Sequence, residues 1–164
     1  MDPNRHTFVA FCDGSALRNG KPNCVAAYAC LFPQNEAWNE VKVLNENCIS
    51  TNNRAEYKAA LAAVKRAVME DPSSRRIVVI FTDSELLTNT MNTYIHKWQR
   101  NGWHTMNGGP VKNRDVLEEL LRLSNGRVMY RHVQAHTGCQ DWESHWNNKA
   151  DNMARAAARN ADRW

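Results

Sequence analysis

The sequence has no uninterrupted apolar run approaching about 18 residues, the length that a helix needs to cross a bilayer, and no apolar stretch follows its polar beginning. We therefore expect neither a membrane span nor a secretory leader. The sequence also lacks an even, regularly spaced set of cysteines. The five present are odd in number and scattered: Cys12, Cys24, Cys30, Cys48 and Cys139. Such a set does not suit a disulfide framework, and we expect a reduced, intracellular protein.

Acidic residues are absent from one long stretch, residues 86–114, which contains Lys97, Arg100, Lys112 and Arg114. The chain as a whole carries a formal charge of only +4, which suits a polyanionic partner and an ordinary enzyme equally well. The uneven distribution predicts one basic face. No internal repeat or second domain is recognisable, and 164 residues suit one domain with a sizeable core.

Short apolar runs predict five strands, at residues 7–12, 25–32, 40–44, 77–81 and 128–133. The first ends at a turn signal, Asp13-Gly14-Ser15, and the next two are close enough for an antiparallel meander. Helical spacing predicts a long helix that begins near residues 50–53 and ends before Asp71, with further helices at 85–92, 93–99, 114–123 and about 147–159. The strand, helix, strand order implies a parallel crossover, so we predict an α/β fold.

Acidic residues follow two of these strands directly, Asp13 after the first and Asp83 after the fourth. Parallel neighbours would place both carboxylates at the same sheet edge, where ligands of α/β proteins bind. Glu56 and Asp151 lie in the first turns of the long and the last predicted helices and could reach that edge. Four converging carboxylates repel one another unless cations compensate. Oxygen ligands suit Mg²⁺ or Mn²⁺, and two such ions roughly 3.5–4 Å apart can hydrolyse a phosphodiester.

Taken singly, each acid also has an ordinary structural explanation. Asp13 and Asp83 suit turns or helix caps. Glu56 could complete a capping box with Asn53, and Asp151 could complement a helix dipole. The conjunction of all four favours the metal site.

A zinc site is a second possibility, with His132, His136, Cys139 and His145 as ligands. Residues four apart on a strand are separated by roughly 13 Å, so the two nearer histidines share a metal only if the strand ends between them. The spacing matches no strong zinc signature, and the oxygen-ligand site is the better interpretation.

Five segments in order resemble the type 1 ribonuclease H family: DGS at 13–15, TNNRAE at 51–56, TDS at 82–84, HVQAHTG at 132–138 and NNKAD at 147–151. The resemblance covers nearly the whole chain. It implies a ribonuclease H-like fold, a five-stranded mixed sheet with three antiparallel strands leading into parallel ones and helices on both faces. It also implies hydrolysis of the RNA strand of RNA/DNA hybrids with two Mg²⁺ ions, for which Mn²⁺ can substitute, leaving 5′-phosphate and 3′-hydroxyl ends.

Roles for individual residues follow from the same resemblance. Asp13, Glu56, Asp83 and Asp151 match the catalytic, metal-binding acids. His136 matches a mobile-loop histidine that assists proton transfer and product release, a task suited to an imidazole.

The resemblance also implies contacts with each strand of a hybrid. On the RNA side it points to Asn19 and Asn53, together with Gly14 and Ser15, because Asn can donate to and accept from a 2′-hydroxyl. On the DNA side, Thr51 and Asn113 match a phosphate pocket. The family's animal relatives often have an Arg two residues before this Thr, where this chain has Ile49. We therefore expect a weaker or differently built pocket.

A basic protrusion, residues 94–110, resembles the segment that many type 1 enzymes lay against DNA. Its expected contacts are Tyr94, Lys97, Trp98 and Arg100, since an aromatic plane can pack on a deoxyribose while cations neutralise phosphates. Trp98 is the preferred contact, whereas Trp103 is predicted to be a packing residue.

We predict one ribonuclease H domain, residues 1–164, with a short tail at 1–6 and an enlarged loop at 138–146 before the last helix. That loop makes Asp151 the acid whose position is most open to displacement. A monomer is expected. The alternatives are the ribonuclease H domain of a reverse transcriptase polyprotein, a resolvase-like or integrase-like metal nuclease, and an inactive hybrid-binding module. Met1 and the ending at Trp164 favour a free-standing enzyme over the polyprotein.

Overall fold

The computed structural model describes residues 7–44, 51–135, 138 and 141–163. Five strands form one sheet in the order β3-β2-β1-β4-β5: β1 (Thr7–Leu17), β2 (Val25–Leu31), β3 (Glu40–Val43), β4 (Ile77–Thr82) and β5 (Val128–His132). The pairs β1–β2 and β2–β3 are antiparallel, whereas β1–β4 and β4–β5 are parallel. The predicted five-stranded mixed sheet is confirmed.

Within the described residues, five α-helices accompany the sheet: α1 (Asn52–Glu70), α2 (Glu85–Asn89), α3 (Ile95–Asn101), α4 (Arg114–Ser124) and α5 (Trp142–Asp162). A π-helical turn, Thr90–Tyr94, joins α2 to α3, where the sequence predicted two α-helices in direct succession. Within the described ranges, no helix combines the length and the apolar composition needed to span a membrane.

Alternate residues of β1 supply two cores on opposite faces of the sheet, as the period of a strand requires. Phe8, Ala10 and Cys12 pack with α1 and α4 on one face. Phe11 faces α5 and stacks on Phe81 with ring centroids 4.8 Å apart. The helices therefore cover both faces, as predicted, and both α1 and α5 pass over β1.

The turn predicted at Asp13-Gly14-Ser15 is wrong, because β1 continues through it. Parallel pairing of β1 with β4 ends at Phe11 opposite Phe81, but antiparallel pairing with β2 continues until Leu17 meets Val25. The residues after Phe11 thus remain extended and pair on one side only. This leaves their other edge open beyond the end of the parallel ladder.

The last helix begins five residues earlier than predicted, at Trp142 rather than residue 147. The side chain of Asp141 caps it by accepting a 2.7 Å hydrogen bond from the backbone N–H of Ser144. Trp142 also makes an edge-to-face contact with Phe11. Residues 142–146 are therefore the first turns of a helix and not part of an enlarged loop.

Candidate active site

Two carboxylates meet because β1 and β4 place them in matching register. Phe11 pairs with Phe81, and Asp13 and Asp83 each follow two residues later. Two residues along an extended chain return a side chain to the same face of the sheet, so the two acids lie side by side beyond the parallel ladder. Asp13 is buried, and Asp83 is half-buried just before the N-cap of α2, Ser84.

A third carboxylate is brought in by the close approach of α1 to β1. A Cβ on Gly14 would lie 2.7 Å from the backbone nitrogen of Glu56 and 2.8 Å from the Cβ of Ala55. Only glycine permits this contact without a shift of backbone. The N-cap of α1 is Thr51, whose Oγ1 accepts from the N–H of Arg54 at 3.1 Å.

The cap at Thr51 also decides between two explanations for Glu56. A capping box requires the Glu at the third helical position, but Glu56 is the fifth residue of α1. The capping box considered with Asn53 is therefore wrong, and so is the placement of Glu56 in the first turn. From the second turn it reaches the two strand-end acids.

Oxygen atoms of Asp13, Glu56 and Asp83 all lie within 4.8 Å of one another. Two of the buried oxygens, Oδ2 of Asp13 and Oε2 of Glu56, have no hydrogen-bond partner among the described residues. Buried polar atoms without partners are rare, and a bound ion is one of the explanations for them. The donor set consists of hard oxygens alone, which fits Mg²⁺ or Mn²⁺.

The pKa values of the acids in this cluster also favour a cation site. Burial, and then the neighbouring charges of Glu56 and Asp83, raise the pKa of Asp13 far above its ordinary value. Burial and the charge of Asp83 likewise raise the pKa of Glu56. Without a cation the cluster therefore retains protons at neutral pH, and a divalent ion would displace them.

The fourth acid, Asp151, reaches the same site from α5. It is the tenth residue of that helix and is 8% exposed. It lines one cleft of about 440 Å³ together with the other three acids, although it is not among the three whose oxygens all lie within 4.8 Å of one another. One turn earlier, the Nδ2 of Asn147 donates to Oδ2 of Asp83 at 3.3 Å. The earlier helix start does not displace Asp151, because α5 runs along β1 and carries it to the cluster.

Comparisons with known proteins identify this arrangement. The family model described as RNase H matches residues 5–159. The chain belongs to the RNase H family. It is 35% identical over 152 residues to the Ribonuclease H of Nitratidesulfovibrio vulgaris, covering 92% of this chain and 88% of that one. It is also 35% identical over 161 residues to the Ribonuclease H of Thermus thermophilus, covering 96% and 88%. The predicted family and enzyme class, ribonuclease H, are confirmed.

Solved structures share the fold of this ribonuclease H. The foamy viral protease-reverse transcriptase in complex with dsDNA gives a TM-score of 0.75 at 18% identity, covering 98% of this chain and 99% of that one. LC9-RNase H1, described as a type 1 RNase H with the type 2 active-site motif, gives 0.66 at 23% identity, covering 94% and 73%.

The residues predicted for the RNA strand lie around the same cleft of the ribonuclease H. Gly14 and Ser15 line it, together with Asn52, which the sequence did not single out. Asn19 accepts the backbone N–H of Asn52 at 2.8 Å through its Oδ1, so it also fixes the start of α1. Asn53 is exposed beside this start. Their contact with RNA stays a prediction.

The two residues predicted for a DNA phosphate are linked by one arginine. Arg54 donates from its backbone to Thr51 and from Nη1 to Oδ1 of Asn113, at 3.1 Å in each case. Its guanidinium also forms a two-pronged ion pair with Asp115, at 3.0 and 2.7 Å. This pairing lowers the pKa of the Asp115 carboxyl to about 2. Arg54, which the sequence analysis gave no role, thus holds Thr51 and Asn113 together.

The protrusion presents an aromatic surface next to exposed cations. Tyr94 and Trp98 lie with ring centroids 5.9 Å apart and line a small, mostly apolar pocket of about 230 Å³. Lys97 lines this pocket too, and Arg100 is exposed on the same helix. Trp103 is 8% exposed, which confirms that it is a packing residue.

His136, the predicted catalytic histidine, lies outside the described residues, as do Ile49 and Cys139. Of the other zinc candidates, His132 places its Nε2 3.2 Å from the backbone oxygen of Asp83, and His145 packs edge-on against Trp146. Within the described part of the chain, the group of acids is what could hold a metal ion.

Two arginines in the cleft were missed by the sequence reasoning, Arg155 and Arg159 of α5. The signal was present, because both follow Asp151 at intervals of four residues. Such an interval places all three side chains on one face of a helix. The motif at residues 147–151 ends at the acid and therefore did not draw attention to them.

Proposed function

We propose that this ribonuclease H hydrolyses the RNA strand of RNA/DNA hybrids, with two Mg²⁺ ions bound by Asp13, Glu56, Asp83 and Asp151. One observation carries the proposal: three carboxylates have oxygens within 4.8 Å of one another, and two of these oxygens are buried without partners among the described residues. Such an arrangement is destabilising in a metal-free protein. Cation binding gives a reason for its presence.

The protein's own groups hold and orient the reacting parts. The sheet fixes Asp13 and Asp83, the Gly14 contact fixes Glu56, and Asn147 orients the carboxylate of Asp83. Two magnesium ions would supply the Lewis acidity for an in-line displacement at phosphorus. Water forms the new bond to phosphorus and the bond to the 3′ oxygen breaks, which leaves 5′-phosphate and 3′-hydroxyl ends. His136 is proposed to assist proton transfer to the leaving oxygen.

Recognition of the hybrid rests on two sides of the site. Asn19, Asn53 and Ser15 are proposed to sense 2′-hydroxyls of the RNA strand, for which amide and hydroxyl groups both donate and accept. Thr51 and Asn113 are proposed to bind a phosphate of the DNA strand. The foamy viral protease-reverse transcriptase, whose structure in complex with RNA/DNA hybrid gives a TM-score of 0.73 at 19% identity, supports this substrate class by analogy of fold.

The DNA strand is further proposed to cross the protrusion. Tyr94 and Trp98 offer planes for a deoxyribose, and Lys97 and Arg100 offer charges for phosphates. Because Trp103 is buried beneath Trp98, at a centroid separation of 6.5 Å, it supports this surface from inside.

The decisive experiment replaces Asp83 by Asn and measures cleavage of a labelled RNA/DNA hybrid in Mg²⁺. Loss of a residue that merely supports a metal ligand lowers activity by about 10–100-fold, so loss of the ligand itself should exceed 100-fold. Asp162→Asn is the matched control, since Asp162 is exposed and pairs with Arg18 away from the cluster. Unchanged cutting by Asp83→Asn would contradict the proposed metal site.

The substrate is tested with the same assay on RNA/RNA and DNA/DNA duplexes of one sequence. We expect cleavage of the hybrid alone, at its RNA strand. Cutting of junctions or of DNA duplexes would instead support the resolvase-like or integrase-like alternative. A ribonuclease H domain of a reverse transcriptase would cleave the same hybrid and remains the second candidate.

We further propose that the protein is a monomer and acts inside the cell. The three cysteines in the described part of the chain are free thiols, which suits a reducing compartment. Size-exclusion chromatography with light scattering tests the monomer directly.

A further inference from the structure

The cleft that contains the carboxylates continues along α5 to two arginines. Arg155 and Arg159 line it, as do Ser15 and Asn52. Asp151, Arg155 and Arg159 are spaced by four residues and share one face of α5. The site therefore has a negative end, where the acids lie, and a positive end, about 12 Å further along the helix at a rise of roughly 1.5 Å per residue.

The two arginines differ in what they contact. Nε of Arg155 pairs with Oδ1 of Asp151 at 3.2 Å, so Arg155 already compensates an acid of the cluster. Arg159 is exposed in the cleft, and no carboxylate of the described residues lies within ion-pair distance of it. Further along the same helix, Asp162 is neutralised by Arg18. Arg159 is thus the cation in this row that is available to an anionic ligand.

We propose that Arg159 forms a subsite for a phosphate of the RNA strand, two to four nucleotides from the cut. This inference rests on the proposed function. A nucleic acid strand carries one phosphate per roughly 3.4 Å of duplex axis, so a distance of about 12 Å spans two to four nucleotides. The strand is RNA, because Ser15, which lines the same cleft, lies on the proposed RNA side. A guanidinium suits the task, since its planar fork binds phosphate through two hydrogen bonds.

The subsite also addresses an electrostatic difficulty of the active site. A phosphodiester approaching four carboxylates is repelled until cations are bound. A fixed positive charge at the other end of the cleft holds the strand by a phosphate that does not react. The scissile phosphate is then kept near the cluster, and the carboxylates stay available to bind metal.

The first experiment measures hybrid binding by fluorescence anisotropy at several salt concentrations. It uses the Asp13→Asn background in Mg²⁺, so that cleavage does not interfere. We expect Arg159→Ala to weaken binding by about tenfold at low salt. The slope of log affinity against log salt concentration should fall by about one, the amount that corresponds to one phosphate contact. Arg122→Ala removes an equal charge from the exposed face of α4, outside the cleft, and should change neither quantity. Equal behaviour of the two variants would overturn the proposal.

The second experiment locates the phosphate. Single methylphosphonate linkages, which are uncharged, replace each linkage of the RNA strand and then each linkage of the DNA strand in turn. One position, two to four nucleotides from the cut, should weaken binding when Arg159 is present and have no further effect in Arg159→Ala. The assignment would be refuted if Arg159→Ala and the methylphosphonate weakened binding additively at every RNA linkage. It would also be refuted if the effect of Arg159→Ala depended on a linkage of the DNA strand.

These outcomes are separable from failure of the proposed function. That function fails if the protein does not cleave the hybrid, or if Asp13→Asn still does. The subsite fails when cleavage and its loss behave as expected but Arg159→Ala matches Arg122→Ala. Arg159→Lys adds a check, because it keeps the charge and loses the fork, and it should bind between the wild type and Arg159→Ala.

Discussion

Replacing Asp13 by Asn should stabilise the metal-free protein, although Asp13 is a buried residue at the centre of the site. Asn has nearly the same shape and carries no charge. In the wild type, the oxygens of Asp13, Glu56 and Asp83 lie within 4.8 Å of one another. At an effective dielectric constant of about 20, two unit charges at that distance repel by about 3.5 kcal/mol. The substitution removes a carboxyl that on folding must either bear this repulsion or take up a proton.

The direction of the pH dependence follows from the raised pKa values of Asp13 and Glu56. The folded metal-free protein binds more protons than the unfolded chain, so its stability is greatest below the ordinary carboxyl pKa near 4 and falls as pH rises. Each pH unit above that value costs about 1.4 kcal/mol, up to a limit set by the burial of the carboxyls and by their repulsion. We expect Asp13→Asn to gain about 1 kcal/mol at pH 5 and about 2–3 kcal/mol at pH 8.

Urea denaturation in EDTA and in Mg²⁺, at both pH values, measures these differences. Saturating Mg²⁺ at 100 times its dissociation constant stabilises the wild type by about 2.7 kcal/mol, and the variant should lose most of this gain. Asp162→Asn serves as the control, with no change in the Mg²⁺ response. The reasoning is refuted if Asp13→Asn is less stable than the wild type in EDTA at every pH, or if it retains the full Mg²⁺ stabilisation.

Three further substitutions test other parts of the structure. Gly14→Ala should destabilise the fold by about 1–3 kcal/mol in urea denaturation, because the new Cβ meets backbone, whereas Gly109→Ala, whose Cβ would approach nothing closer than 3.8 Å, should not. Trp103→Ala should lower the free energy of unfolding by about 3–5 kcal/mol; Trp98→Ala should cost less stability and should weaken hybrid affinity in anisotropy titrations. Asp115→Asn should lower the free energy of unfolding at neutral pH by about 1 kcal/mol, because its buried arginine partner loses a charge-assisted pair. The difference in stability between variant and wild type should vanish as the Asp115 carboxyl titrates toward pH 2. A difference that persists at pH 2 would contradict this origin.

The positions of Asp13 and Asp83 were predictable because the signal is local and repeated. Each follows an apolar run, and the runs pair so that Phe11 meets Phe81. The continuation of β1 to Leu17 was not predictable in the same way. Its residues are held extended by β2, a partner later in the chain, which pairs with β1 from Leu31 back to Val25. Gly14 was mistaken for a turn residue, since the close approach of α1 is a tertiary contact.

The start of α5 shows a different limit of sequence reasoning. The capping signal at Asp141 and Ser144 was present, but the polar, Trp-containing run after it resembled a loop. What makes the run helical is the contact of Trp142 with Phe11, and this depends on the face of the sheet that α5 covers. The error in the start does not affect Arg159, because Asp151 and Arg159 both lie in the predicted helix and share a face at its spacing.

The placement of the acids connects stability with activity in one feature of the fold. Asp13 can be buried and still approach a ligand because β1 extends past the end of β4, paired with β2 on one side and open on the other. A shorter β1 would expose Asp13 to water and weaken its attraction for cations, since water screens the charge. A longer β4 would cover it. The offset between the two strands therefore sets both the instability of the metal-free cluster and its affinity for metal, so substitutions that relieve the first should reduce the second.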